Sequence, residues 1–146
     1  MSFTGPSIGS GGRREAHEFG RTHVVRPKGR HQATVVWLHD LGDNGSSWSQ
    51  LLETLPLPNI KWICPTAPTR PITLFGGFPA TAWFDVGELS EDAPDDVEGL
   101  EAAAAHVANL LSIEPADSMF PHNFFYNVFI MLFFPFSFTL GLRFFF

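Results

Sequence analysis

Cysteine is almost absent. Cys64 stands alone among 146 residues, which excludes an internal disulfide framework and any cysteine-rich zinc site. A lone thiol fits a reducing compartment. The N-terminal Met-Ser-Phe-Thr-Gly-Pro-Ser has no basic stretch followed by an apolar one, so no secretory signal is read there and the cytoplasm is the expected location. No two of the six histidines stand as H-x-x-x-H, and no metal site is expected. Basic residues are also few, and they are unevenly placed. Residues 1–31 hold six basic residues against two acidic ones, a net charge of +4, leaving three against thirteen, or −10, for the remainder. Those six (Arg13, Arg14, Arg21, Arg26, Lys28, Arg30) have no aromatic ladder interleaved with them, so a nucleic-acid partner is not expected either.

What is present reads as one domain. Residues 1–20 are rich in Gly, Ser and Arg, a composition that buries too little surface to offset its ordering entropy, and they are expected to form a flexible leader. β-Branched and aromatic residues cluster at Thr22–Val25, Ala33–Leu38 and Ile60–Cys64, predicting three strands. The second is apolar almost throughout, as a strand covered on both faces would be. Ser47 and Gln50 have capping-box spacing, and Trp48, Leu51, Leu52 and Leu55 follow at helical intervals up to Pro56. From Pro65 onward, Pro68, Pro71, Gly76, Gly77 and Pro79 punctuate what reads as a long functional loop. Pro94 then opens a second helix with Val97, Leu100, Ala104, Val107, Ala108 and Leu111 on one face, and Asp95, Asp96 and Glu98 at its positive end. Strand, helix, strand, loop, helix is an α/β rhythm.

The composition changes at Ser118. Eleven of the sixteen phenylalanines lie between Phe120 and Phe146, with no acidic residue among them and Arg143 as the one Lys or Arg. Neither alternation nor a helical stripe is visible in that run. Its residue types share pyrimidine-rich codons, which points to translated intron. The alternative is membrane association through Phe124–Leu142, long enough to span a bilayer but interrupted by Asn127 and Pro135 and lacking a polar far-side anchor.

The chemistry concentrates in Val35-Val36-Trp37-Leu38-His39-Asp40-Leu41-Gly42-Asp43-Asn44-Gly45. An apolar strand that runs into a His/Gly turn and then a capped helix presents backbone N–H groups to a developing oxyanion. An ordinary strand-to-helix turn would also use Gly and Asp. His39-x-Leu41-Gly42-Asp43, Cys64-Pro65-Thr66-Ala67-Pro68, Trp83-Phe84-Asp85 and the acidic start of the second helix together resemble, over residues 20–117, the acyl-protein thioesterase and carboxylesterase family, in particular its plant members. That resemblance implies an α/β-hydrolase fold, a three-layer sandwich of which this chain holds the early strands and first two helices. It also implies hydrolysis of acyl thioesters such as palmitoyl-cysteine and of carboxylic esters, with acylated proteins or lipid esters as partners and no cofactor. By resemblance, the Leu41 N–H is an oxyanion-hole donor on the turn His39, Asp40, Gly42, Asp43, and Leu74, Phe75 and Trp83 line the acyl side. Core packing is the competing reading of Trp83 and Phe84, and Cys64 reads as a small buried residue.

Two departures from the family stand out. Asp40 occupies a position where the resemblance implies glycine; a carboxylate about 5 Å from an oxyanion would oppose it by about 3 kcal/mol at an effective dielectric near 20. The nucleophile elbow should follow shortly after Glu114-Pro115-Ala116-Asp117, and Ser118-Met119-Phe120-Pro121 stands there instead. With the elbow go the catalytic Ser, Asp and His, so an inactive truncated product is expected, or alternatively a non-catalytic binding or membrane-tethered fragment. Gly5-Pro6-Ser7-Ile8-Gly9 has G-x-S-x-G form, but neither a strand before it nor a helix after it is predicted.

Overall fold

A computed structural model describes residues 18–88, 90, 93–114 and the backbone of 130–132. The Ser7 motif, the Asp117/Ser118 boundary, and most of the leader and of Phe124–Leu142 lie outside those residues.

Alternation along two strands builds the molecule. β2 (Ala33–Leu38) and β3 (Ile60–Cys64) pair in parallel, Val36 opposite Ile63, and β1 (His23–Val25) closes the far side antiparallel to β3. Successive side chains of a strand point to opposite faces. Val36, Leu38 and Ile63 therefore pack on one side with Ala67, Trp83 and the helical residues Ala103 and Val107. Val35, Trp37, Trp62 and Cys64 pack on the other with Leu52 and Trp48. The result is helix, sheet, helix, the three-layer arrangement expected. Each aliphatic side chain buried this way contributes about 1.5–3 kcal/mol. The second face adds aromatic contacts, Trp37 to Trp48 at 4.7 Å and Trp37 to Trp62 edge-on at 6.3 Å. Burial pushes the Cys64 thiol up to about 12, so it stays a protonated, inert core residue.

The first helix, α1 (Gly45–Glu53), starts earlier than the capping-box spacing implied. Asn44 is the cap: its backbone is extended and its Oδ1 accepts the Ser47 N–H at 2.9 Å. Ser47 thus receives the cap rather than providing it. Gly45 follows because the helix start abuts the end of β3, where a Cβ would meet the Cys64 carbonyl oxygen at 2.2 Å.

The expected loop contains a hairpin, β4 (Thr69–Ile72) against β5 (Phe78–Thr81), joined through a 3₁₀ turn at Thr73–Phe75 and two glycines of positive φ, Gly76 and Gly77. Pro71 faces Pro79 in its ladder. Proline cannot donate to a ladder, and this is why the segment reads as loop. Arg70 and Ile72 point inward, while Leu74, Phe75 and Phe78 are 38%, 47% and 75% exposed.

The second helix, α2 (Val97–Ser112), is capped by Asp96 rather than opened at Pro94. Its buried residues are Gly99, Ala103 and Val107, so the predicted stripe is rotated; Val97, Ala104 and Ala108 are exposed. Small residues at four-residue intervals let this face approach the sheet closely. A Cβ on Gly99 would lie 2.3 Å from Asp96 Oδ2 and 2.8 Å from an Arg70 nitrogen.

Inside the phenylalanine-rich segment, the backbone of Ile130–Leu132 forms β6, parallel to β2 with Val36 opposite Ile130. The sheet order is β1-β3-β2-β6. No alternation had marked this strand, and none is required of a strand apolar on both sides. Among the described residues, no helix is long and apolar enough to cross a membrane.

Candidate active site

β2 leads into His39, 2% exposed, whose bonds organise the following turn. The Ala67 N–H donates to His39 Nε2 at 2.9 Å. An amide N–H only donates, so Nε2 carries the lone pair and Nδ1 the proton. Nδ1–H then donates to the Asp40 carbonyl at 2.7 Å. Burial holds the imidazole below its ordinary pKa, against the opposing pull of the Asp40 carbonyl and of the Asp43 and Asp40 carboxylates.

The Asp40 carbonyl also accepts the Asp43 N–H at 3.1 Å, closing a turn whose third residue, Gly42, has φ +83°. Glycine meets that requirement without strain. β5 supports the turn from outside: Gly42 N–H donates to the Thr81 carbonyl at 2.8 Å, and the Thr81 hydroxyl to the Asp43 carbonyl at 2.6 Å. Asp43 Oδ1 accepts the Asn44 N–H at 2.8 Å and so leads into the α1 cap. No acceptor among the described residues takes the half-buried Leu41 N–H. Asp40 Oδ1 is buried without a described partner. Its carboxyl is raised above the usual range, by burial first and by Asp43 second, with His39 opposing.

Trp83 lies beneath the turn, 5% exposed, its indole N–H donating to the His39 carbonyl at 3.0 Å. Phe84 packs partly buried against the same core. Leu74 and Phe75 sit apart from Trp83's buried position, on the exposed part of the hairpin. The turn of the hairpin is tied by the Asp85 carboxylate, which accepts from the Thr73 hydroxyl and N–H and is lowered by those two bonds. The structure therefore brings His39, Asp40, Leu41, Gly42 and Asp43 together, and separates the residues expected to line an acyl side into a buried Trp83 and an exposed Leu74 and Phe75. Ala67 stands in the Cys64–Pro68 motif with no role implied there, and Thr81 belongs to none of the motifs. The Ala67 N–H and the Thr81 carbonyl are backbone groups that leave no mark on residue type, and the one Thr81 hydroxyl is 38 residues from its partner. Among the described residues, no group of three His, Cys, Asp or Glu could hold a metal.

The sequence profile of the Phospholipase/Carboxylesterase family matches residues 20–125. The chain belongs to that family. Acyl-protein thioesterase 1 of Cryptococcus neoformans is 38% identical over 104 residues, 68% of this chain and 43% of the relative. Acyl-protein thioesterase 1 of Schizosaccharomyces pombe is 35% identical over 94 residues, 64% and 42% of the two chains. The crystal structure of Zea mays acyl-protein thioesterase 2 matches with a TM-score of 0.65 at 84% identity, over 67% of this chain and 42% of that one. That of Arabidopsis thaliana SOBER1 matches with a TM-score of 0.54 at 31% identity, over 67% and 47%. This chain spans less than half the length of these relatives. The fold is thus part of an α/β-hydrolase sandwich, as the motifs implied.

In this phospholipase/carboxylesterase chain, two imidazoles make stability depend on pH. His106 on α2 stacks on Phe19 at 3.8 Å, has no described partner at Nε2, and is lowered by burial, as His39 is. Below the ordinary value of 6.5 the unfolded chain binds protons that the folded chain resists. The two histidines' contribution is therefore fully present above that value and is lost as pH falls toward the folded pKa values. Asp40, with a raised folded pKa, acts in the opposite sense: its contribution is present below 3.8 and lost as pH rises through the folded value. The urea midpoint is expected to fall between about pH 7.5 and about pH 5.5, and to fall less in His106→Leu. A midpoint that rises over that interval would contradict burial of neutral imidazoles.

Proposed function

We propose that residues 20–114 form the oxyanion side of an acyl-ester and acyl-thioester hydrolase site, shaped for acylated proteins or lipid esters, and that the 146-residue polypeptide does not itself hydrolyse them. The observation that carries this reading is the Leu41 N–H. It has no described acceptor, on a turn that leads from a buried parallel strand into a capped helix. Such a donor, fixed before reaction, stabilises charge where it develops on a carbonyl oxygen. Family membership and the thioesterase relatives support the substrate class. The exposed Leu74, Phe75 and Phe78 offer apolar surface for an acyl chain.

The lack of turnover follows from what a serine hydrolase needs. A nucleophile must sit on a strand-to-helix elbow with a histidine in hydrogen-bond reach. The G-x-S-x-G of residues 5–9 is followed by Ser10, Gly11, Gly12, Arg13 and Arg14, a poor helix start. A fluorophosphonate probe is expected to leave the full chain unlabelled. Labelling that a single serine-to-alanine change abolishes would sink the non-hydrolysing reading and identify the nucleophile.

A further inference from the structure

The peptide unit joining Asp40 to Leu41 is trans, like every other described. Such a unit is nearly planar, with its carbonyl oxygen and its N–H on opposite sides. Whatever holds the Asp40 oxygen therefore aims the Leu41 N–H. Two donors hold it, His39 Nδ1–H at 2.7 Å and Asp43 N–H at 3.1 Å. The second is the turn closing on itself. The first comes from a ring that is fixed independently, by Ala67 N–H at Nε2 and by burial 5.3 Å from Trp83, whose indole holds the His39 carbonyl as well.

We propose that His39 is a positioning residue that aims the Leu41 N–H through the Asp40 peptide, and that it does so only as the neutral Nδ1–H tautomer. Its purpose rests on the reading of Leu41 as oxyanion donor; the chain of bonds does not. A proton added at Nε2 would face the Ala67 N–H donor to donor, so acid releases the ring and with it the peptide. The charged groups facing the ring are the Asp40 and Asp43 carboxylates of its own turn. The segment after β3 presents the Ala67 N–H, β5 presents Thr81, already committed to the turn, and α2 presents His106 behind Trp83.

The test uses the ¹⁵N-labelled full chain. At neutral pH, His39 is expected to show a protonated Nδ1 and a lone-pair Nε2, and the Leu41 amide resonance should move with the same midpoint as His39 on acidification. The reverse tautomer, or a Leu41 resonance that stays still while His39 titrates, overturns the proposal without any variant. His39→Leu removes both bonds, and Asp43 and Ala67 amide protection should each fall about tenfold. Asn places an amide N–H where Nδ1 stood, so His39→Asn should restore Asp43 protection and the Leu41 resonance, leave Ala67 unprotected, and abolish the pH step. A folded His39→Leu with Asp43 and Leu41 unchanged would show the ring to be mere packing. None of these readouts needs substrate. Fluorophosphonate labelling with the tautomer intact would overturn the non-hydrolysing reading alone, and the wrong tautomer in an unlabelled chain would overturn the positioning role alone.

Discussion

Asp96→Ala is expected to lower the unfolding free energy by about 3 kcal/mol, a large share of the stability of a small domain. This carboxylate makes three contacts. Oδ1 accepts the Gly99 N–H at 3.0 Å and caps α2, while Oδ2 accepts the Asp85 N–H at 2.8 Å and pairs with Arg70 at 3.0 Å. Loss of the cap alone costs about 1 kcal/mol. The larger part comes from Arg70, whose side chain is 6% exposed and whose Nε already has no described partner. Removing the counter-ion of a buried guanidinium costs about 3–5 kcal/mol. The Asp96 side chain is 25% exposed, so water replaces some of what is lost, and the lower end applies. Arg70→Met in the same background should recover part of the loss. A double-mutant cycle by urea denaturation would then show coupling of about 1 kcal/mol or more, whereas additive single and double variants would mean that the pair is solvated.

The same residue shows what was legible in the sequence. Asp95, Asp96 and Glu98 read as charges complementing a helix dipole, a reading that depends only on neighbours. The specific work of Asp96, holding a guanidinium 26 residues away, has no local signature. β2 and β3 were legible because β-branched and aromatic residues cluster in them, and α1 and α2 because their apolar residues recur at helical intervals. The hairpin was not, because prolines 71 and 79 occupy facing ladder positions and mimic loop composition. The face of α2 was misread because Gly99 carries no side chain to mark it, and within the run Ala102–Ala105 residue type does not say which alanine meets the sheet; it is Ala103. The site divides the same way. His39 through Asp43 is contiguous and was found as a motif. Its supports reach the turn from Ala67, Thr81 and Trp83 across sequence separations of 28, 38 and 44 residues. Ala67 acts through its N–H, which any residue but proline supplies, and Thr81 through its carbonyl and a hydroxyl that serine would also carry.

Trp83 stood between two readings, acyl-lining or core, and its substitution carries the largest expected effect of any side chain near the turn. It belongs to the buried cluster of Val36, Leu38, Ile63, Ala67, Ala103 and Val107, with the Phe19 ring at 6.3 Å and the His106 ring at 6.5 Å. Trp83→Ala should therefore cost about 3–5 kcal/mol through lost contacts and a residual cavity. It would also strip the His39 carbonyl of its donor. Trp83→Phe separates these causes: it keeps most of the apolar volume but leaves that buried carbonyl without its indole partner, for about 1–3 kcal/mol. Leu74→Ser and Phe75→Ser, at 38% and 47% exposed, should stay within about 0.5 kcal/mol of the parent chain. A lining residue that contributed only to acyl contact would behave like those two. If thermal and urea unfolding place Trp83→Ala with the hairpin variants, the indole is not part of the core that holds the turn. If Trp83→Phe alone loosens the Ala67 and Asp43 amides, the indole acts on the site through the His39 carbonyl, with packing as the smaller part of its effect.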